Sequence, residues 1–224
     1  MNYLVIEKTP NYKKAVHAAY ETLRKHRITD FPINIFELMN RHDDLIVMSY
    51  QDFSKHFDLS MSEVIEMCCS DEGCIGYEPR IKKYIILFND DVSKSLARVR
   101  FTLCHEYGHY ILKHAKITDR FLLSRYSITD EEDDILETEA NIFARELLAP
   151  TFLVNLIEPL NAHFISNYFF ISEQASEYII NHIHNCRNHG WNNILSTPFF
   201  LRGQLKQIRM SLELNMIHSD YLLK

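Results

Sequence analysis

One stretch constrains this chain more than any other: Phe101-Thr102-Leu103-Cys104-His105-Glu106-Tyr107-Gly108-His109-Tyr110-Ile111-Leu112. It combines apolar residues at helical spacing with the pattern H-E-x-x-H. On a helix, positions i and i+4 share a face. His105 and His109 can therefore aim imidazole nitrogens at one metal ion. Glu106 sits about 100° further round, so its carboxylate can serve a water at that ion without being a ligand. This is the arrangement of a metal-activated water with a general base beside it. The bare pattern is a weak signal in a chain with twelve His, and ordinary helical histidines are the bland reading. Against that reading, Gly108 stands between the two histidines although Gly costs about 1 kcal/mol in a helix interior. A side chain there is expected to be unwelcome near the metal.

A catalytic zinc commonly takes three protein ligands and a water. The acids for a third ligand lie in Glu137-Thr138-Glu139-Ala140-Asn141-Ile142-Phe143-Ala144-Arg145-Glu146-Leu147-Leu148-Ala149-Pro150. Glu139 opens a face shared with Phe143 and Leu147. An acid on an apolar, inward face is costly unless something pairs with it, and a metal ion would serve. Glu139 is therefore the preferred third ligand and Glu137 the alternative. Either one alone reads as a surface carboxylate.

The run from Arg98 through Phe101-Thr102-Leu103 and His105-Glu106-Tyr107-Gly108-His109, followed by Glu139-Ala140-Asn141-Ile142-Phe143-Ala144 and Leu147-Leu148-Ala149-Pro150, resembles the ImmA/IrrE family of zinc metallopeptidases. The resemblance covers about residues 12–150 and continues more weakly to about 185. It implies His105, His109 and Glu139 as zinc ligands and Glu106 as catalytic base. It implies an α+β, zincin-like core with a small mixed sheet against the active-site helix. It further implies a zinc-dependent endopeptidase of narrow specificity that cleaves a transcriptional repressor or similar regulator of a bacterium or mobile element. Three positions depart mildly from the family pattern, Cys104, Tyr107 and Ala149, and none touches the metal ligands.

The remaining elements follow from pattern. Tyr12 to Lys25 is expected as an amphipathic helix. Pro32 to Met39 reads as a short helix, and Leu45 to Met48 as a strand. Ser60 and Glu63 have the spacing of a capping box. Cys74 to Tyr77 and Lys83 to Phe88 read as a strand pair. The second is either a core strand or an edge that binds an extended substrate by strand addition. Ser93 or Ser95 caps the long helix, and Arg98 or Arg100 is placed to pair with acids around it. The acidic run Asp130 to Asp134 suits a helix start, with the helix running from about Ile135 to Leu148 and stopping at Pro150. One or two helices are expected over Phe164 to His184, with Ser172 as cap. Trp191 to Phe200 reads as strand or loop and Gln204 to Met216 as a last helix. The division expected is a metallopeptidase core over 1–150 and a mostly helical region over 151–224.

Charge bears on partners. A formal net charge of -6 speaks against non-specific nucleic-acid binding. No apolar run approaches the roughly 20 residues of a membrane span. The five cysteines are odd in number and irregular in spacing, which suits free thiols in a reducing cytoplasm. Cys68, Cys69 and Cys74 fit no common zinc pattern. Two other function classes compete with the peptidase: a non-catalytic zinc-binding interaction module, and a component of a toxin–antitoxin pair. An intact Glu106 argues against the first, because a structural zinc needs no base. The oxyanion donor is open among Tyr84, Tyr107, Tyr110, His114 and the His182/His184 pair.

Overall fold

The computed structural model describes residues 8–114 and 129–222, with side chains described to 216. They form a mixed α+β fold in two compact units, one of residues 1–18 and 35–144, the other of 19–34 and 145–224.

The first unit holds a three-stranded sheet. Strand β1 (Leu45–Ser49), β2 (Gly73–Glu78) and β3 (Lys83–Phe88) lie in the order β1-β3-β2. β1 runs parallel to β3, with Leu45 opposite Tyr84. β2 runs antiparallel to β3, with Gly73 opposite Phe88. β3 is thus the central strand, and both of its edges are bonded. This explains its near-continuous apolar sequence, since a strand covered on both faces has no polar alternation. It also corrects the edge reading of Lys83 to Phe88: no peptide can add there. Among the described residues, the outer strand nearest the long helix is β2.

The period-two rule sorts the strand residues by face. Cys74 and Leu87 turn to one side, where they form a core with Tyr50, Phe53 and Val64. Those three belong to two short helices, α3 (Tyr50–Phe57) and α4 (Met61–Cys68). Both helices are fixed locally by their caps. Ser49 accepts from the Asp52 N–H, and Ser60 with Glu63 forms the capping box with both arms present. Helix α3 was not legible in the sequence, because its eight residues carry few apolar positions.

The other face of the sheet meets the long helix α5 (Leu96–Leu112), capped by Ser95. Tyr84 of β3 packs edge-on against Tyr110 of α5, ring centroids 5.2 Å apart. At the start of β2 the approach is closer still. A Cβ on Gly73 would stand 2.7 Å from the Thr102 methyl and 3.0 Å from the Leu87 carbonyl oxygen. Only glycine lets strand and helix meet there. Beside it Glu72 binds Lys94 at 2.6 Å and Arg98 at 2.7 Å, tying the helix start to the sheet. Arg98 thus finds an acid, as expected.

Helix α6 (Asp130–Leu148) starts earlier than its apolar periodicity, with four acids in its first turn. Thr129 and Glu132 close a reciprocal cap, each backbone N–H donating to the other's side chain at 2.9 and 3.2 Å. The remaining helices before the sheet are α1 (Tyr12–Lys25) and α2 (Ile35–Met39).

In the second unit, α7 (Thr151–Val154), α8 (Ala162–Phe169), α9 (Glu173–Asn188), α10 (Asn192–Leu195) and α11 (Arg202–Leu222) follow one another. Ser172 caps α9 as expected. The stretch 191–200 is helical turn rather than strand. Glu146 is a buried carboxylate with every need met. It accepts from Tyr20 at 2.6 Å, from Thr151 through hydroxyl at 2.7 Å and N–H at 3.0 Å, and from Arg145 at 3.1 Å. It is a structural acid, and a metal has no claim on it. No described helix is long and apolar enough to cross a membrane.

Candidate metal centre

Helix α5 presents His105 and His109 on one face, as the spacing requires. Their Nε2 atoms lie 3.0 Å apart. The third group is Glu137, one turn before the apolar face of α6. Its two carboxylate oxygens stand 3.0 Å from His105 Nε2 and 3.4 Å from His109 Nε2. A tetrahedral zinc with bonds of about 2.0–2.1 Å separates its ligand atoms by roughly 3.3–3.4 Å. Here two imidazole nitrogens and a carboxylate converge, with one ligand atom from each residue within 4.8 Å of the others, a donor set that suits zinc. Among the described residues this is the only group of three or more His, Cys, Asp or Glu side chains whose ligand atoms converge. Cys68, Cys69 and Cys74 form no such group, and none of the five cysteines is in a disulfide.

Glu139, the residue expected as third ligand, does not converge with the two histidines; Glu137, the alternative, does. Glu139 is buried, 3% exposed, as its apolar face required. Its carboxylate is turned to other partners: the Asn11 N–H at 2.9 Å, Lys14 Nζ at 3.1 Å and His114 Nε2 at 3.2 Å. Burial alone would push its pKa up, but these three donors hold it down at about 2. The charge that Glu139 carries into the core is thus met by hydrogen bonds, and a metal is not needed to compensate it. Glu137 sits on the flank of α6 and its side chain is 33% exposed. Through Glu137 the otherwise buried trio is reached by solvent.

The electrostatics of the trio are mutual. Burial would lower the His105 pKa, yet the Glu137 carboxylate and the nearby Glu106 charge raise it. Glu137 is held far below the ordinary carboxylate range, because the two imidazoles outweigh its own desolvation. His105 is further oriented by Asn141, whose side-chain oxygen stands 3.0 Å from His105 Nδ1. That bond, donated by Nδ1–H, leaves Nε2 bare for a metal.

Glu106 follows His105 on α5 and is buried, 4% exposed. The built position of a Gly73 Cβ lies 3.6 Å from Glu106 Cγ. The start of β2 therefore forms one wall of the carboxylate's site.

Gly108 has a different reason from the one expected. A Cβ there would meet the Phe143 ring at 3.0 Å and the Ala140 carbonyl oxygen at 3.3 Å. The glycine makes room for helix α6, and the metal is not what excludes a side chain.

The oxyanion candidates sort clearly. Tyr107 is bonded to His42 Nε2 at 2.7 Å, and Tyr110 donates to Asp44 at 2.6 Å. Burial raises both phenols above their ordinary pKa. Tyr84 packs among Tyr77 and Tyr110. Tyr107 and Tyr110 of α5 stack on one another, and Tyr84 meets Tyr110 from the sheet. Cys104, fully buried, has its thiol pushed up to about 12, so it is inert. His114 is buried and bonded to His109 and Glu139. His182 and His184 lie on α9 in the second unit.

His114 owes its place to Lys113, which ends α5 with φ 65° and donates its N–H to the carbonyls of His109 and Tyr110. That left-handed turn folds the next residue back toward the helix. A non-glycine residue there costs roughly 1–2 kcal/mol. Lys113→Gly is expected to stabilise the fold by up to about 1 kcal/mol, raising Tm by roughly 2–4 °C in a thermal melt. An unchanged or lowered Tm would mean that the lysine side chain compensates the strain.

Residues 71–181 match the family model Peptidase_M78, described as an IrrE N-terminal-like domain. No curated protein matches the chain.

Proposed function

From a chain that belongs, through residues 71–181, to the Peptidase_M78 family, we propose a zinc-dependent endopeptidase of narrow specificity, working in the cytoplasm on a transcriptional repressor or similar regulatory protein. The family makes it a peptidase with a protein as substrate. The observation that carries the zinc reading is the convergence of His105, His109 and Glu137, with all ligand atoms within 4.8 Å of one another. We assign these three as ligands and Glu106 as the catalytic base.

When bound, zinc would supply Lewis acidity, polarising a scissile carbonyl and acidifying a water. The residues do the rest. Asn141 holds the His105 ring so that Nε2 faces the ion. Glu106 takes the proton of the attacking water and passes it to the leaving amine. Its burial keeps bulk water from competing for that proton. The exposed Phe101, one turn before His105, offers an apolar contact to a substrate side chain. β2, whose first residue adjoins Glu106, offers main-chain groups to an extended peptide by strand addition.

Glu106→Gln tests the mechanism. It preserves shape and removes the base. Cleavage by the zinc-loaded chain is expected to fall by about 100- to 10,000-fold, while zinc content and melting temperature stay at the wild-type level. Candidate repressors co-expressed with either chain, and followed by mass spectrometry, would give the readout. Equal processing by both chains would rule out Glu106 as the base. A partner bound but never cut by either would favour the interaction module.

A further inference from the structure

The mechanism leaves one buried histidine unused. His114 is 0% exposed and bridges two groups of the site. Its Nδ1 lies 3.2 Å from His109 Nδ1. Its Nε2 lies 3.2 Å from the Glu139 carboxylate. That carboxylate is itself fixed from sequence positions more than a hundred residues away, by the Asn11 N–H and Lys14 Nζ. The chain of contacts therefore runs Lys14–Glu139–His114–His109 and ends at a metal ligand.

Hydrogen-bond direction along this chain is determined from both ends. Glu139 is an ionised acceptor, so His114 Nε2 must carry the proton and donate it. A neutral His114 then has a bare Nδ1, which can only accept. The donor facing it is His109 Nδ1–H. With Nδ1 protonated, His109 is left with a bare Nε2, the atom that points at His105 Nε2 and Glu137.

Resting on the zinc reading above, we infer that His114 and Glu139 are positioning residues which lock His109 in the tautomer and ring orientation that binds the metal. Glu139 thus serves the site from behind a ligand. Asn141 does the same for His105 by a single bond. The His109 arm is longer because that ring is sealed in the interior, 2% exposed, where no water can take its proton. A buried N–H with no acceptor would carry the full desolvation cost.

The test compares zinc affinity, measured by chelator competition, for the wild type, His114→Phe and His114→Gln. Phe keeps the volume and removes the acceptor; Gln returns an acceptor oxygen. His114→Phe is expected to weaken zinc binding about 10- to 100-fold, and His114→Gln to recover most of that loss. The zinc-loaded wild type should also show a slowly exchanging His109 Nδ1–H in its nitrogen-15 spectrum, coupled across the bond to His114 Nδ1. This spectrum decides the matter even if His114→Phe fails to fold. A His109 ring without a proton on Nδ1, or a folded His114→Phe that binds zinc as tightly as wild type, would overturn the inference and leave the zinc site standing. A wild type that binds no zinc would overturn both.

Discussion

Replacing Glu137 by Ala is expected to strip the chain of stoichiometric zinc, while Glu139→Ala leaves it zinc-binding at reduced affinity. The two acids sit two residues apart on one helix, yet the fold treats them oppositely. Glu137 stands 3.0 Å from His105 Nε2 and 3.4 Å from His109 Nε2; Glu139 is committed to His114, Lys14 and the Asn11 N–H. Loss of a direct ligand leaves two imidazoles and no anion to offset the ion's charge. The affinity loss should exceed the roughly 100-fold ceiling typical of groups that act behind a ligand. Elemental analysis after gel filtration gives the stoichiometry, and chelator competition gives the affinities. The reverse pattern, with zinc lost on Glu139→Ala alone, would return the ligand role to Glu139.

The second large effect is expected at Gly108. Adding a methyl to a helical glycine contributes about 1 kcal/mol of helix stability. Here that methyl would press on the Phe143 ring at 3.0 Å and on the α6 backbone at Ala140. Phe143 is fully buried and also packs edge-on against Tyr107, with ring centroids 5.9 Å apart, so the ring has little room to retreat. Overpacking of this kind costs about 1–3 kcal/mol, so Gly108→Ala should come out near neutral. Gly108→Val adds two more carbons on a stiff, β-branched side chain. It is expected to destabilise by about 3 kcal/mol, lowering Tm by roughly 6–12 °C. Glu137 rides on the same helix as Phe143, so zinc affinity should fall with it. A thermal melt with and without zinc, beside a zinc titration, separates the two effects. A Gly108→Val chain with unchanged Tm and zinc affinity would show that α6 does not need this close approach.

How much of the site was legible before the fold is clearest on helix α5. His105, Glu106 and His109 lie within one turn, where spacing along the chain fixes spacing in space. Local chemistry likewise announced the Ser60–Glu63 capping box, the Ser172 cap and the strand pair 74–77 and 83–88. Each depends on neighbours a few residues apart. Helix α3 was missed although Tyr50, Phe53 and Phe57 stand at helical spacing, because eight residues give that pattern too few repeats to stand out.

For the third ligand the sequence reading preferred Glu139, whereas the carboxylate that stands beside the two histidines is Glu137. Periodicity correctly marked Glu139 as inward, and physical chemistry correctly demanded a partner for a buried charge. The partner was His114, which a left-handed residue at Lys113 swings back against His109, with Lys14 and Asn11 arriving from the other end of the sequence. No local rule encodes that meeting. Glu137, the alternative ligand in the sequence, lies off that apolar face, and its side chain is partly exposed. The sequence by itself determined the long helices α1 and α5 and which two histidines share a face, because those are matters of short-range geometry. Which carboxylate faces them, which strand is central and why Gly108 is bare were decided by the tertiary structure, because each depends on the distance between elements far apart in the chain.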